Sequence, residues 1–174
     1  MKKKALALSP FLVALLALPA LAANDTLVKF RGAIGDIPLA GGVGQAATAD
    51  VVNRNIIRGV EPPGQIWVIS AFKADVTVDG HIEAEGRGLL LGGGDQIGFN
   101  ANASVFATLI CEPVAPFTEH STNGAGVALA PNGDFRIDDV LDPAPSASCD
   151  SPVLLIRVTG ANPGWFAAGI PKQD

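Results

Sequence analysis

The carboxylates are the side chains of this chain with the most chemical potential, and they fall in two groups. Between positions 73 and 87, Lys73, Asp75, Thr77, His81, Glu83, Glu85 and Arg87 share one parity along the chain. On a hairpin they would share one sheet face, with Lys73 opposite Glu85 and Asp75 opposite Glu83. An opposed carboxylate pair can hold a hard cation such as Ca2+ or share a proton as a general acid. It can also sit on a solvated face screened by Lys73 and Arg87. Like charges directly opposite cost only a fraction of about 1 kcal/mol, so the screened face requires no ligand and is the preferred reading. The second group is Asp134, Asp138, Asp139 and Asp142. It lacks the spacing of a helix-loop-helix calcium site, and strand geometry would point Asp138 and Asp139 to opposite faces. A hydrated acidic rim is expected, with a Ca2+-stabilised loop as the alternative. The metal candidates are therefore Asp75, Glu83, Asp138 and Asp139; no cofactor is required.

Other chemistries have weaker footing. His81 and His120 are the only histidines and stand in no zinc-ligand spacing. No G-x-S-x-G elbow is present. Gly92-Gly93-Gly94 lacks the Lys-Ser/Thr of a phosphate loop and reads as a turn. Trp67, Trp165 and Phe166 could form an aromatic platform, but such residues more often fill a core. No catalytic residue is assigned.

Cys111 and Cys149 are the only cysteines. Their spacing is not C-x-x-C, and Glu112 and Asp150 adjoin them, an environment that raises a thiol pKa. A disulfide is the expected state in an exported protein; closing a loop of this length is worth on the order of 4 kcal/mol on the chain-entropy model.

The elements that would position these groups are strands. Phe72, Ala74, Val76 and Val78 alternate with polar residues, as do Ile82, Ala84 and Gly86 beyond Asp79-Gly80. A two-residue loop would set Val76 against Glu83, mixing apolar and polar on one face. A three-residue loop, Val78-Asp79-Gly80, pairs Val76 with Ile82, Ala74 with Ala84 and Phe72 with Gly86. Burial selects the second register, and Gly80 supplies its left-handed position. The same grammar around Pro131-Asn132-Gly133 predicts Leu129 opposite Phe135 and Val127 opposite Ile137. Further strands are expected over residues 26–31, 51–60, 104–111, 153–158 and 165–170. Residues 104–111, apolar on both faces, should be central. Long surface loops are expected at 33–48, 92–102, 112–126 and 142–152. The fold class is all-β, an antiparallel β-sandwich or closed β-barrel of about eight or nine strands.

Ahead of this domain, Lys2, Lys3 and Lys4 precede an uncharged run of about 14 residues, Pro19 and Ala20-Leu21-Ala22. That is the form of a cleavable, helical signal peptide over residues 1–22, too short to span a bilayer, which takes roughly 20 residues. Residues 23–174 would then be one β-rich domain, periplasmic or secreted, with no membrane insertion after cleavage. Loss of the three lysines leaves nine basic residues against 17 acidic, a balance that argues against nucleic acid.

The stretches GRGLLLGGG (86–94), GDFRIDDVL (133–141), SPVLLIR (151–157) and WFAAGIPK (165–172) resemble those of small exported bacterial proteins of unassigned activity. The resemblance implies a bacterial envelope setting and no functional residues. The function expected is a non-catalytic exported binding or structural domain acting on an extracytoplasmic ligand or protein. A carboxylate-dependent hydrolase or isomerase is one alternative. A subunit that pairs through a sheet edge is the other.

Overall fold

The structure, a computed structural model, describes residues 25–41 and 52–172. The expected signal peptide lies outside them. The strands among these residues are β1 (Thr26–Gly35), β2 (Leu39–Gly41), β3 (Val52–Arg54), β4 (Trp67–Val68), β5 (Ala71–Thr77), β6 (His81–Arg87), β7 (Leu90–Leu91), β8 (Ser104–Ile110), β9 (His120–Ser121), β10 (Val127–Ala128), β11 (Phe135–Val140), β12 (Val153–Val158) and β13 (Trp165–Pro171). There is no helix among the described residues.

The main sheet runs β10-β8-β12-β13-β1-β5-β6-β11, with β9 also paired to β8. Every neighbouring pair is antiparallel. Its two ends are brought together, so the sheet is a nearly closed barrel and not a sandwich. At one point the turn 131–133 joins β10 to β11, with Ala130 N–H donating to Asp134 O at 2.9 Å. At another, Ser121 of β9 exchanges backbone hydrogen bonds with Asp142 (3.1 and 2.8 Å), just beyond β11.

The β5–β6 hairpin takes the three-residue register. Val76 pairs with Ile82, Ala74 with Ala84, and Phe72 with Gly86, and Gly80 has φ +87°. All of these side chains point into the barrel and are buried. The second hairpin is a correction. Its turn forms as expected, with Gly133 at φ +79°, but no ladder runs between β10 and β11. Val127 pairs with Val105 of β8 instead, and β11 pairs with β6. β11 gains a six-residue ladder on β6 this way and β10 a two-residue one on β8, while Leu129, Phe135 and Ile137 still meet in one core. Other boundaries move too. The predicted strand 51–60 shortens to β3 plus an Ile57–Val60 bridge. The expected loop at 33–48 holds the end of β1 and β2, and the loop at 112–126 holds β9.

Large and small side chains alternate in the interior. Phe30, Phe72, Phe135, Phe166 and Trp67 fill it, and Ala74, Ala84, Ala107 and Ala167 make room for them. Trp67 stacks on Phe166 with centroids 3.9 Å apart. A second cluster, Val60, Ile110, Leu155 and Trp165, lies on the outer side of β8, β12 and β13. The 57–63 segment and Phe117 help to cover it. This is why β8 and β12 are apolar on both faces, and why both tryptophans and Phe166 belong to cores and not to a surface platform. Arg157, which interrupts the apolar run of β12, is buried on this outer side. Its Nε donates to Pro163 O (3.0 Å), Nη1 pairs with Glu119, and the guanidinium lies 5.4 Å from the Phe106 ring. Cys111 and Cys149 form the expected disulfide, pinning the 142–152 loop to the end of β8.

Gly86 has no room for a side chain: a Cβ there would meet Phe135 Cε1 at 2.1 Å. Gly86→Ala should destabilise the domain by about 1–3 kcal/mol through overpacking, and Phe135→Ala by about 3–5 kcal/mol through cavity formation. The double variant should cost less than the sum of the two, because removing the ring removes the clash. Denaturant titration of the four proteins checks this. Cys111→Ser/Cys149→Ser should lower stability by about 2–4 kcal/mol, measured the same way against the oxidised protein.

Candidate functional site

The outer face of β1, β5, β6 and β11 carries most of the predicted candidates, and the ladder sets them in rows. One row reads Arg31, Lys73, Glu85, Arg136 across the four strands; the next reads Lys29, Asp75, Glu83, Asp138. The second row therefore brings three carboxylates side by side. Cations from the first row answer it diagonally. Arg31 binds both oxygens of Asp75 (2.8 and 3.1 Å). Arg136 reaches Glu85 (2.6 Å), Asp138 (3.4 Å) and Glu83 (3.5 Å), and Lys73 pairs with Glu85 (3.0 Å).

The Asp75–Glu83 repulsion is thus screened as expected, but by different residues. Arg31 and Arg136 do this work, not Lys73 and Arg87, Lys73 being paired with Glu85; both arginines come from strands whose place beside the hairpin only the topology reveals. The hydrogen bond from Lys73, with Arg136 adding to it, holds the Glu85 carboxyl below the usual range. A carboxyl held down in this way is a poor proton donor at neutral pH. The face is open, and Ala71, Phe72, Lys73, Glu85 and Arg87 line a hollow that adjoins it.

The second acidic group does not converge. Asp138 joins the charged face, where His81 Nε2 lies 3.0 Å from its Oδ1. Asp139 points the other way and accepts from Asn123 N–H (2.9 Å). Asp134 accepts from Gly88 N–H (3.1 Å) and Asn132 Nδ2 (3.0 Å). His120 is buried, and its Nδ1–H donates to Pro143 O (2.7 Å). Its spacing along the chain gives His81 no ligand role. The ladder nevertheless brings its ring nitrogen and one oxygen each of Glu83 and Asp138 within 4.8 Å of one another.

Asp36 is a charged group that nothing in the sequence marks out. Asp36 follows β1 and is wholly buried, and neither carboxylate oxygen has a hydrogen-bond partner among the described residues. The backbone puts it there. Asp36 N–H donates to Phe166 O (2.9 Å) and Trp67 N–H donates to Asp36 O (3.1 Å). Gly35 permits this approach, since a Cβ at that position would lie 2.2 Å from Trp67 O. Burial pushes the Asp36 pKa up to about 7, against the opposing pull of Arg54. The Gly-Asp step in 32–36 (GAIGD) is the only sequence signal, and it is indistinguishable from a surface turn.

Nearby, Ile37, Pro38, Leu39, Arg54, Gln65 and Ile66 line a groove of about 440 Å3. Ile37, Leu39 and Ile66 are 55%, 57% and 44% exposed, so the groove presents apolar surface to solvent. Arg54 is held by Glu61 (3.3 Å) and by Pro62 O.

Asp36 makes stability depend on pH. Its folded pKa lies above the unfolded value of 3.8, so the unfolded chain releases this proton first. Stability from this group is intact below about pH 4, falls as pH rises toward about 7, and levels off beyond, a loss on the order of a few kcal/mol. Asp36→Asn should remove that slope and leave the variant more stable than the parent at pH 8, as read from denaturant midpoints across the pH range. Comparison with protein-family models, curated proteins and solved structures gives no match.

Proposed function

We propose that this chain is an exported domain that acts by binding, and that its contact surface is the apolar groove beside β2 and β4. The observation that carries the reading is where the carboxylates lie. Asp75 and Glu83 stand on an open face beside Arg31 and Arg136, and Glu85, at the edge of a hollow, is held below the usual carboxylate range by Lys73 and Arg136, whereas a general acid needs a carboxyl whose pKa is raised in a partly apolar pocket. Asp36 has a raised pKa but is sealed from solvent, so it does not touch a substrate. Among the described residues the barrel interior is filled by its own side chains.

Export is supported by the Lys2–Lys4, apolar and Ala-x-Ala segments. The Cys111–Cys149 disulfide is consistent with an oxidising compartment, periplasmic or extracellular. Near-closure of the main sheet weighs against assembly through a long open edge. The groove weighs in favour of binding because Ile37, Leu39 and Ile66 are exposed together in one concavity, and apolar surface gathered in one place, unlike apolar residues scattered singly, is the form interaction sites take.

The test expresses the full chain with a photo-crosslinking residue at Leu39, at Ile66, or at Glu83 as a control on the charged face. The expected result is export with loss of the N-terminal segment, and discrete adducts from Leu39 and Ile66 that are absent from Glu83. Leu39→Glu combined with the Ile66 crosslinker should abolish the adduct without lowering the melting temperature. Retention in the cytoplasm, or equal adducts from the charged face, would overturn the reading.

A further inference from the structure

We propose that His81, Glu83 and Asp138 form a surface site for a divalent cation of borderline softness, with zinc the best fit. This site is separate from the groove and does not depend on it. The inference rests on a mixed donor set and not on acidity alone. One imidazole nitrogen and two carboxylate oxygens lie mutually within 4.8 Å, and His81 Nε2 is 3.0 Å from Asp138 Oδ1. Nitrogen with carboxylate oxygen suits zinc, whereas calcium and magnesium prefer oxygen alone.

The ladder builds the triad. His81 and Glu83 are two residues apart on β6 and so share a face. Asp138 is the direct cross-strand partner of Glu83 on β11, and His81 pairs with the neighbouring Val140. All three backbone positions are fixed by a sheet continuous on both sides of β6, so binding orders side chains without reorganising the backbone. Typical zinc bonds of about 2.0–2.2 Å require the three donors to draw together from their present spacing, a rotamer-scale movement for exposed side chains.

Arg136 is the competing cation. It contacts Glu83 and Asp138 at 3.5 and 3.4 Å but Glu85 at 2.6 Å. A metal ion would displace its two longer contacts and leave the shortest, so the guanidinium retains a partner on Glu85. This competition gives the proposal a signature. Removing Arg136 should tighten metal binding, while removing His81 should weaken it.

The experiment titrates the purified, oxidised full chain with zinc chloride by calorimetry; with both cysteines in the disulfide, no thiol competes for the ion. The expected result is one saturable site per chain and a rise in melting temperature with zinc. His81→Ala, Glu83→Gln and Asp138→Asn should each weaken binding at least about tenfold, Arg136→Gln should strengthen it, and Asp139→Asn on the opposite face should leave it unchanged. The proposal is overturned if millimolar zinc produces no saturable binding, if His81→Ala binds as the parent does, or if calcium binds as tightly as zinc.

Discussion

A short sheet that curls until its ends meet has one interior, and every strand must send alternate side chains into it. That period-two constraint, applied around a nearly closed ring, governs the rest of this structure. It selects the β5–β6 register, because a slip of one residue would turn Phe72, Val76 and Ile82 outward and Asp75 and Glu83 inward. It also limits volume. Five large aromatics fit only because Gly86 and four alanines lie between them, so size is distributed as strictly as polarity.

The charged outer face follows from the same constraint. Once Phe72, Ala74 and Val76 are inside, Lys73, Asp75 and Thr77 have no choice but to be outside, and the ladder then fixes which strand supplies each neighbour. Three carboxylates end up in one row as a by-product of burying their neighbours. The diagonal partners Arg31 and Arg136 make that row tolerable in water without any ligand. The same rigidity holds His81, Glu83 and Asp138 close together, which is why a structural solution to repulsion and a metal-binding geometry can share one surface.

Two buried charged side chains have opposite circumstances. Arg157 is enclosed by a carbonyl, the Glu119 carboxylate and an aromatic ring; its Nε and Nη1 donors are used and its charge is balanced. Asp36 has neither oxygen satisfied, so it is held in place by backbone bonds on both sides and by a glycine that permits close approach, at the expense of its own ionisation. A buried carboxyl without a hydrogen-bond partner is costly to retain even when protonated, and here it sits close in sequence to Ile37 and Leu39 of the exposed apolar groove.

Alternation over residues 72–87 by itself determined the hairpin, its three-residue loop, the face shared by Lys73 to Arg87 and the opposed carboxylates, because those depend on local parity and on where Gly80 stands. The Cys111–Cys149 pairing was equally legible, since two cysteines admit one connectivity. The all-β class and the two-sided burial of β8 followed from turn residues and apolar runs. The choice of barrel over sandwich was not legible, nor was the preference of β10 for β8 over its hairpin partner, because both depend on which distant strands become neighbours. For the same reason the cations at Asp75 and Glu83, the approach of His81 to Asp138, and the burial of Asp36 were decided by tertiary structure alone: each joins residues from different strands or loops, and no spacing along one chain encodes which strand will lie beside another.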